Sequence, residues 1–211
     1  NTITMDVKIA GTTRTYKLVV TRAASNVNLS GLSTSLGSLS PAFAAGTTTY
    51  TVTLSSVDPL ANEIKITATP VDSGASIKIN GEGSGAGSQT ISVPIGAGTK
   101  LVPIIVNGWD GVTKNTYTIN IVRPAGLTAL TISSGTLSPA FDKDTLAYTA
   151  SVTDRTTSIN VTASVEAGAE LYINGALQTS GTAKSVDLNV GSNTITLDVK
   201  IAGTTRTYKI T

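Results

Sequence analysis

Along residues 2–9, Ile3, Met5, Val7 and Ile9 stand at every second position, with Thr4, Asp6 and Lys8 between them. A side-chain period of two is that of a half-buried strand. After Ala10-Gly11-Thr12 the apolar phase resumes at Tyr16, Leu18 and Val20, with Lys17 and Thr21 on the other face, so the segment predicts a β-hairpin. The same hairpin returns as Ile195, Leu197, Val199 and Ile201, then Tyr208 and Ile210. It returns again, with a longer turn, as Val102, Ile104 and Val106, then Tyr117, Ile119 and Ile121. Between these hairpins the alternation predicts strands at Tyr50-Val52-Leu54, Ile64-Ile66-Ala68, Ile77-Ile79 and Ile91-Val93-Ile95. A second set follows at Tyr148-Ala150-Val152, Ile159-Val161-Ala163, Leu171-Ile173 and Val186-Leu188-Val190. No stretch sustains a helical period. Short strands punctuated by Gly, Asn, Asp and Pro predict an all-β chain of tandem antiparallel, immunoglobulin-like β-sandwiches with about seven strands each.

Internal repetition sets the domain organisation. Residues 1–19 and 193–211 differ only at Met5/Leu197, Leu18/Ile210 and Val19/Thr211, so position 193 answers position 1 at a period of 192. Inside that period LSPAF occurs at 39–43 and 137–141, each followed by a Tyr, at positions 50 and 148. Ile79-Asn80-Gly81 answers Ile173-Asn174-Gly175. These marks divide the chain into the closing hairpin of a truncated repeat (1–22), a complete sandwich (23–123) and a second complete sandwich (124–211). The first joint runs through the small polar Ala23-Ala24-Ser25-Asn26 and the second straight into Pro124. Proline fixes its own φ and biases Arg123 toward extended geometry, so the second joint is expected to be the stiffer.

A spaced set of residues now resembles a known family. Leu29, Leu32, Gly37, Leu39, Pro41, Phe43, Tyr50, Asn80, Gly81, Thr116, Tyr117 and Ile119 recur in order as Leu127, Leu130, Gly135, Leu137, Pro139, Phe141, Tyr148, Asn174, Gly175, Thr207, Tyr208 and Ile210. The pattern resembles the cadherin-like β-sandwich domain of bacterial secreted and cell-surface proteins. That resemblance implies tandem spacers in surface-layer, adhesin or polysaccharide-acting proteins, an extracellular location and no catalytic activity.

Composition then narrows the chemistry. With no His and no Cys among 211 residues, thiol nucleophiles, disulfides, zinc clusters and His-based acid–base pairs cannot be assembled. A net charge of +2 from scattered Lys and Arg offers no row of cations for phosphates, which excludes nucleic acid as an expected partner. The longest apolar runs are only a few residues, so no membrane insertion is expected. The first residues lack a signal-peptide layout, and targeting signals are expected outside the segment. Asp142 and Asp144 are spaced like the opening of a calcium loop but lack its Gly and distal Glu. No metal, cofactor or catalytic residue is therefore assigned.

Two features carry the functional expectations. Asn107-Gly108-Trp109-Asp110-Gly111 replaces a shorter turn of the sister repeat, and Trp109 with Asn107 and Asp110 is a candidate contact for a sugar or a protein partner. The alternative for Trp109 is that it covers a sandwich end or a domain joint. The hairpin of residues 1–22 would expose Ile3, Met5, Val7, Ile9, Tyr16, Leu18 and Val20 unless something covers them. Either the segment is a window on a longer array, or the hairpin stacks on the next unit, or it completes a sandwich in a neighbouring copy by strand addition. The expected function is a structural, non-enzymatic repeat of an extracellular bacterial surface protein: a stalk, fibre or lattice element whose partners are neighbouring repeats or copies of itself. The alternative is a carbohydrate-binding accessory region that contacts surface polysaccharide.

Overall fold

The computed structural model describes residues 1–211, which form seventeen strands and no helix. Strands β1 (Thr2–Ile9) and β2 (Thr12–Val19) pair only with each other. The middle sandwich comprises β3 (Leu29–Thr34), β4 (Thr49–Thr53), β5 (Glu63–Pro70), β6 (Ser76–Ile79), β7 (Gln89–Pro94), β8 (Gly98–Asn107) and β9 (Lys114–Arg123). The C-terminal sandwich comprises β10 (Leu127–Ile132), β11 (Ala147–Tyr148), β12 (Ser158–Val165), β13 (Glu170–Ile173), β14 (Ala176–Gln178), β15 (Ala183–Asp187), β16 (Ile195–Ile201) and β17 (Thr204–Ile210).

Each sandwich faces a three-stranded sheet, β3-β5-β7 or β10-β12-β15, against a larger one, β4-β9-β8-β6 or β11-β17-β16-β13-β14. The inward phases fill the space between them. Leu29, Val52, Ile66, Ile79, Ile104 and Ile119 are wholly buried in the middle unit, and Val161, Leu171, Leu197, Val199 and Tyr208 fill the other. One pair in each sandwich runs parallel: β4 beside β9 and β11 beside β17. Residue alternation specifies which face is buried but not the direction of a neighbour, so this pairing is a finding of the structure.

Two predicted strands are shorter than expected. β11 is limited to Ala147–Tyr148, and Val152 beyond it is exposed. β15 stops at Asp187, leaving Val190 fully exposed in the loop before Gly191. That loop is closed on itself by the Asn193 side chain, which takes the Asn189 N–H at 2.9 Å and donates to the Asn189 and Gly191 carbonyls.

The repeated motif has local physical reasons. Gly37 and Gly135 adopt φ of 65° and 81°, and a Cβ there would lie 2.7 Å from the Val52 side chain or the Ser151 carbonyl. Only glycine meets both conditions without strain. Phe43 and Phe141 stack on Tyr50 and Tyr148 with centroids 6.2 and 6.3 Å apart, and both are only partly buried. Each packs against the core of its own sandwich.

The closing Tyr has a second task. Tyr117, 1% exposed, accepts the Leu29 backbone N–H at 3.0 Å, tying the last strand of the middle unit to its first. Tyr208 accepts the Leu127 N–H at 3.1 Å in the same way, and also donates to the Lys143 carbonyl and accepts from Arg206. Tyr117→Phe would leave one buried N–H without a partner, at about 1–3 kcal/mol. Urea unfolding is expected to show that loss, and a larger one for Tyr208→Phe; equal losses would contradict the extra bonds at Tyr208.

Candidate functional site

Two places concentrate polar chemistry: the end of the middle sandwich that carries Trp109, and the joint between the two sandwiches.

At the first, Gly108 lets the linker approach closely. A Cβ at Gly108 would stand 2.5 Å from the Ser25 Cβ, and Ser25, 8% exposed, also takes the Asp110 N–H at 3.4 Å. Asp110 is held within its own turn. Oδ1 accepts the Val112 and Thr113 N–H groups at 3.0 and 2.8 Å, and Oδ2 accepts the Thr113 hydroxyl at 2.6 Å. The Thr113 hydroxyl, then those N–H groups, keep the Asp110 carboxyl well below the usual carboxylate range. Asn107 closes the β8–β9 ladder opposite Lys114, and its backbone pairs with Ser76 on the other side. Trp109 is 50% exposed, and the Arg22 guanidinium lies 4.0 Å from its ring centroid. Asn107, Trp109 and Asp110 thus sit in one turn. Its acidic oxygens are spent on the turn itself, and one indole face carries the linker's arginine, a cation–π contact.

The second place holds residues that sequence reasoning did not single out. Arg206 is fully buried although charged. Its Nε donates to the Tyr208 hydroxyl at 3.0 Å, and Nη1 donates to the Ser56 and Asp58 carbonyls of the middle sandwich at 3.1 and 2.7 Å. Asp144 stands 3.7 Å from Nη2 and accepts the Leu60 N–H at 2.7 Å. Arg123, 3% exposed, donates from Nε to the Ala61 carbonyl at 2.6 Å and from Nη1 to both Glu166 oxygens at 3.0 and 3.1 Å. Glu166 also takes the Gly126 N–H at 2.8 Å. Gly126 is required by this closeness: a Cβ there would lie 2.3 Å from Leu60 and 2.8 Å from the Tyr208 hydroxyl. Ile201 packs across on Gly98, and Ala97 joins the C-terminal core from the neighbouring unit.

A signal for Arg206 does exist in the sequence. It shares the inward phase with Tyr208 and Ile210, where an apolar residue is the rule. Arg123–Glu166 had none, since 43 positions separate the partners. The segments read as joints contain no carboxylate, yet Glu166 and Asp144 reach the second joint from adjacent loops and are engaged by arginine and backbone N–H there. A cleft of about 450 Å³ opens beside this joint between Leu36, Leu54, Pro59 and Pro124, with the committed Arg123 on its wall.

The first joint is built differently. Pro70 pairs with Leu29 as Val165 pairs with Leu127, so Val71 occupies the position of Glu166. Arg22, the positional counterpart of Arg123, meets Trp109 in place of a carboxylate.

Burial works to raise the Asp144 carboxyl but is outweighed by hydrogen bonds from the Lys143 ammonium and the Leu60 N–H, aided by the charges of Lys143 and Arg206. A carboxyl depressed in the folded state contributes stability above its unfolded value, about 4, and loses it as pH falls through the folded value. Denaturant midpoints are therefore expected to stay level from about pH 7 to pH 5 and to fall below about pH 4. Asp144→Asn should flatten part of that acid limb; an unchanged limb would remove Asp144 as a contributor.

No curated protein matches the chain. A family model does: the cadherin-like beta sandwich domain matches residues 25–124 and again 127–211. With two sandwiches of the expected layering under those two matches, the chain belongs to the cadherin-like β-sandwich domain family.

Proposed function

We propose that this chain is a structural spacer segment of a repetitive extracellular bacterial surface protein, in which consecutive sandwiches hold a distal element at a fixed distance and orientation. The observation that carries the reading is the joint at Arg123 and Arg206, where the buried Arg206 guanidinium binds the Ser56 and Asp58 carbonyls of the middle sandwich and the buried Arg123 guanidinium of the middle sandwich binds the Glu166 carboxylate of the C-terminal one. A flexible tether has no use for such groups, because each must be fully hydrogen-bonded to be tolerated in the interior. The 192-residue period of the closing hairpin supports an array built from pairs of sandwiches. Cadherin-like sandwiches are typically non-catalytic, and the fold itself carries no activity. No helix is long and apolar enough to cross a membrane.

Small-angle scattering on the full chain tests the spacer role. A single extended particle with one angle between the sandwiches is expected, and a broad distribution of angles would overturn it. Antibody labelling of intact producing cells tests the location; labelling only after lysis would overturn the extracellular assignment.

A further inference from the structure

Four side chains lock the second joint, Arg123, Asp144, Glu166 and Arg206, and at the first joint the repeat puts Arg22, Gly46, Val71 and Asn115 in their places. Asn115 pairs with Val106 two residues before Tyr117, as Arg206 pairs with Val199 two residues before Tyr208. Its amide is used within its own sandwich, donating to Asn28 at 3.4 Å and accepting the Thr116 N–H at 2.9 Å. Gly46 precedes Tyr50 by four residues, as Asp144 precedes Tyr148, and has no side chain to accept an N–H. Val71 carries no charge to hold an arginine. Only the arginine itself survives at the first joint, and Arg22 lies on the Trp109 ring.

The connections differ too. Arg22 stands seven positions before Leu29, whereas Arg123 stands four before Leu127, and the longer stretch contains no proline. Thr21, Arg22, Ala23 and Ala24 are exposed and make no backbone hydrogen bond; the path is first pinned at Ser25, against Gly108. In the second connection Ala125 is buried, and Gly126 bonds to Glu166 through both its N–H and its carbonyl. The middle sandwich also extends an arm, the loop from Leu54 to Ile64, which offers the Ser56 and Asp58 carbonyls and the Leu60 N–H to the next unit. That loop spans ten positions; its equivalent in the C-terminal sandwich, from Val152 to Ile159, spans seven and has no Pro-Leu pair.

In the proposed array the unit ahead of each middle sandwich is of the C-terminal kind, because residues 1–19 repeat residues 193–211. That unit has the short loop, and the middle sandwich it meets has Gly46, Val71 and Asn115, so neither side of the joint carries a lock. Motion between neighbouring domains is the default unless an extensive interface suppresses it. On the array reading, we propose that each middle sandwich and the C-terminal sandwich after it form one rigid rod, and that successive rods swivel on residues 21–24. A few residues able to absorb the change in φ and ψ are what a hinge requires. The Arg22–Trp109 contact is a light stop on the swivel, since a cation–π contact at an exposed ring is weak. Distance is fixed within a rod, and direction adapts from rod to rod.

The test uses the full chain extended in its own period, with residues 20–211 following residue 211, so that one C-terminal sandwich leads into a second middle sandwich. In a chain without native cysteine, Ser92→Cys and Ser185→Cys place spin labels on exposed strand positions of the two kinds of sandwich. Pulsed electron resonance between the two labels within one rod is expected to give a single narrow distance. The same labels set across the swivel, at position 185 of the leading rod and position 92 of the trailing one, are expected to give a distribution several times wider. Equally narrow distributions would overturn the swivel and leave the spacer role standing. A broad distribution within the rod would overturn the spacer role itself, and the swivel with it.

Discussion

Replacing Arg206 with Ala is expected to lower the stability of the C-terminal sandwich by about 3–5 kcal/mol, the usual cost of removing one member of a buried charged network. The side chain is wholly inaccessible and joins Tyr208 of its own strand to the Ser56 and Asp58 carbonyls of the other sandwich. Its loss strands those carbonyls, removes a donor from the hydroxyl that secures Leu127, and leaves a cavity. Lysine is no substitute, because one ammonium cannot reach both sets of acceptors in the planar geometry that a guanidinium supplies. In urea the two sandwiches should separate into two transitions, with the C-terminal one moved to lower denaturant. A single transition displaced by less than about 0.5 kcal/mol, the size of an ordinary surface effect, would show that Arg206 does not couple them.

Arg123 is expected to rank second and to separate more cleanly from its partner. Arg123→Ala frees the Ala61 carbonyl and leaves Glu166 with only the Gly126 N–H, again at about 3–5 kcal/mol. Glu166→Gln retains an acceptor for Gly126 and should cost less. A double-mutant cycle between the two should return a coupling of about 0.5–3 kcal/mol. Additive losses would mean that the two side chains act independently. The counterpart at the first joint, Arg22→Ala, removes an exposed cation–π contact and is expected to cost no more than about 1 kcal/mol. Equal replacements at equivalent places in the repeat should thus differ several-fold in effect, because one arginine is buried against a carboxylate and the other lies on an exposed indole.

The strands were largely legible in the sequence because each sandwich is two-faced and the period-two pattern reports the buried face directly. Ile64, Ile66 and Ala68, or Leu197 and Val199, needed no further information. Where a strand gives way to a loop the pattern misleads, as at Val190, since an apolar residue in a loop keeps the alternation without the burial. The turns announced the antiparallel hairpins β8–β9 and β16–β17, but the parallel pairs β4–β9 and β11–β17 had no sequence signal. The joint was half legible: the inward phase of Arg206 announces a buried charge, but the carbonyls that receive it are about 150 positions away and belong to backbone, which has no sequence signature. Trp109 shows the opposite difficulty. Its neighbours Asn107 and Asp110 read as ligand groups when only the turn is considered, and the path of the linker that brings Arg22 and Ser25 against it is not encoded in the turn.

The parallel pairs acquire a meaning when a spacer is pulled from its ends. In each sandwich the segment that shares a ladder with the closing strand runs in the same direction as that strand. Tension drawn through the two would slide them past one another, loading every rung together, whereas an antiparallel hairpin pulled at its open end unzips rung by rung. The middle unit sets five register pairs in this shear clamp, β4 against β9.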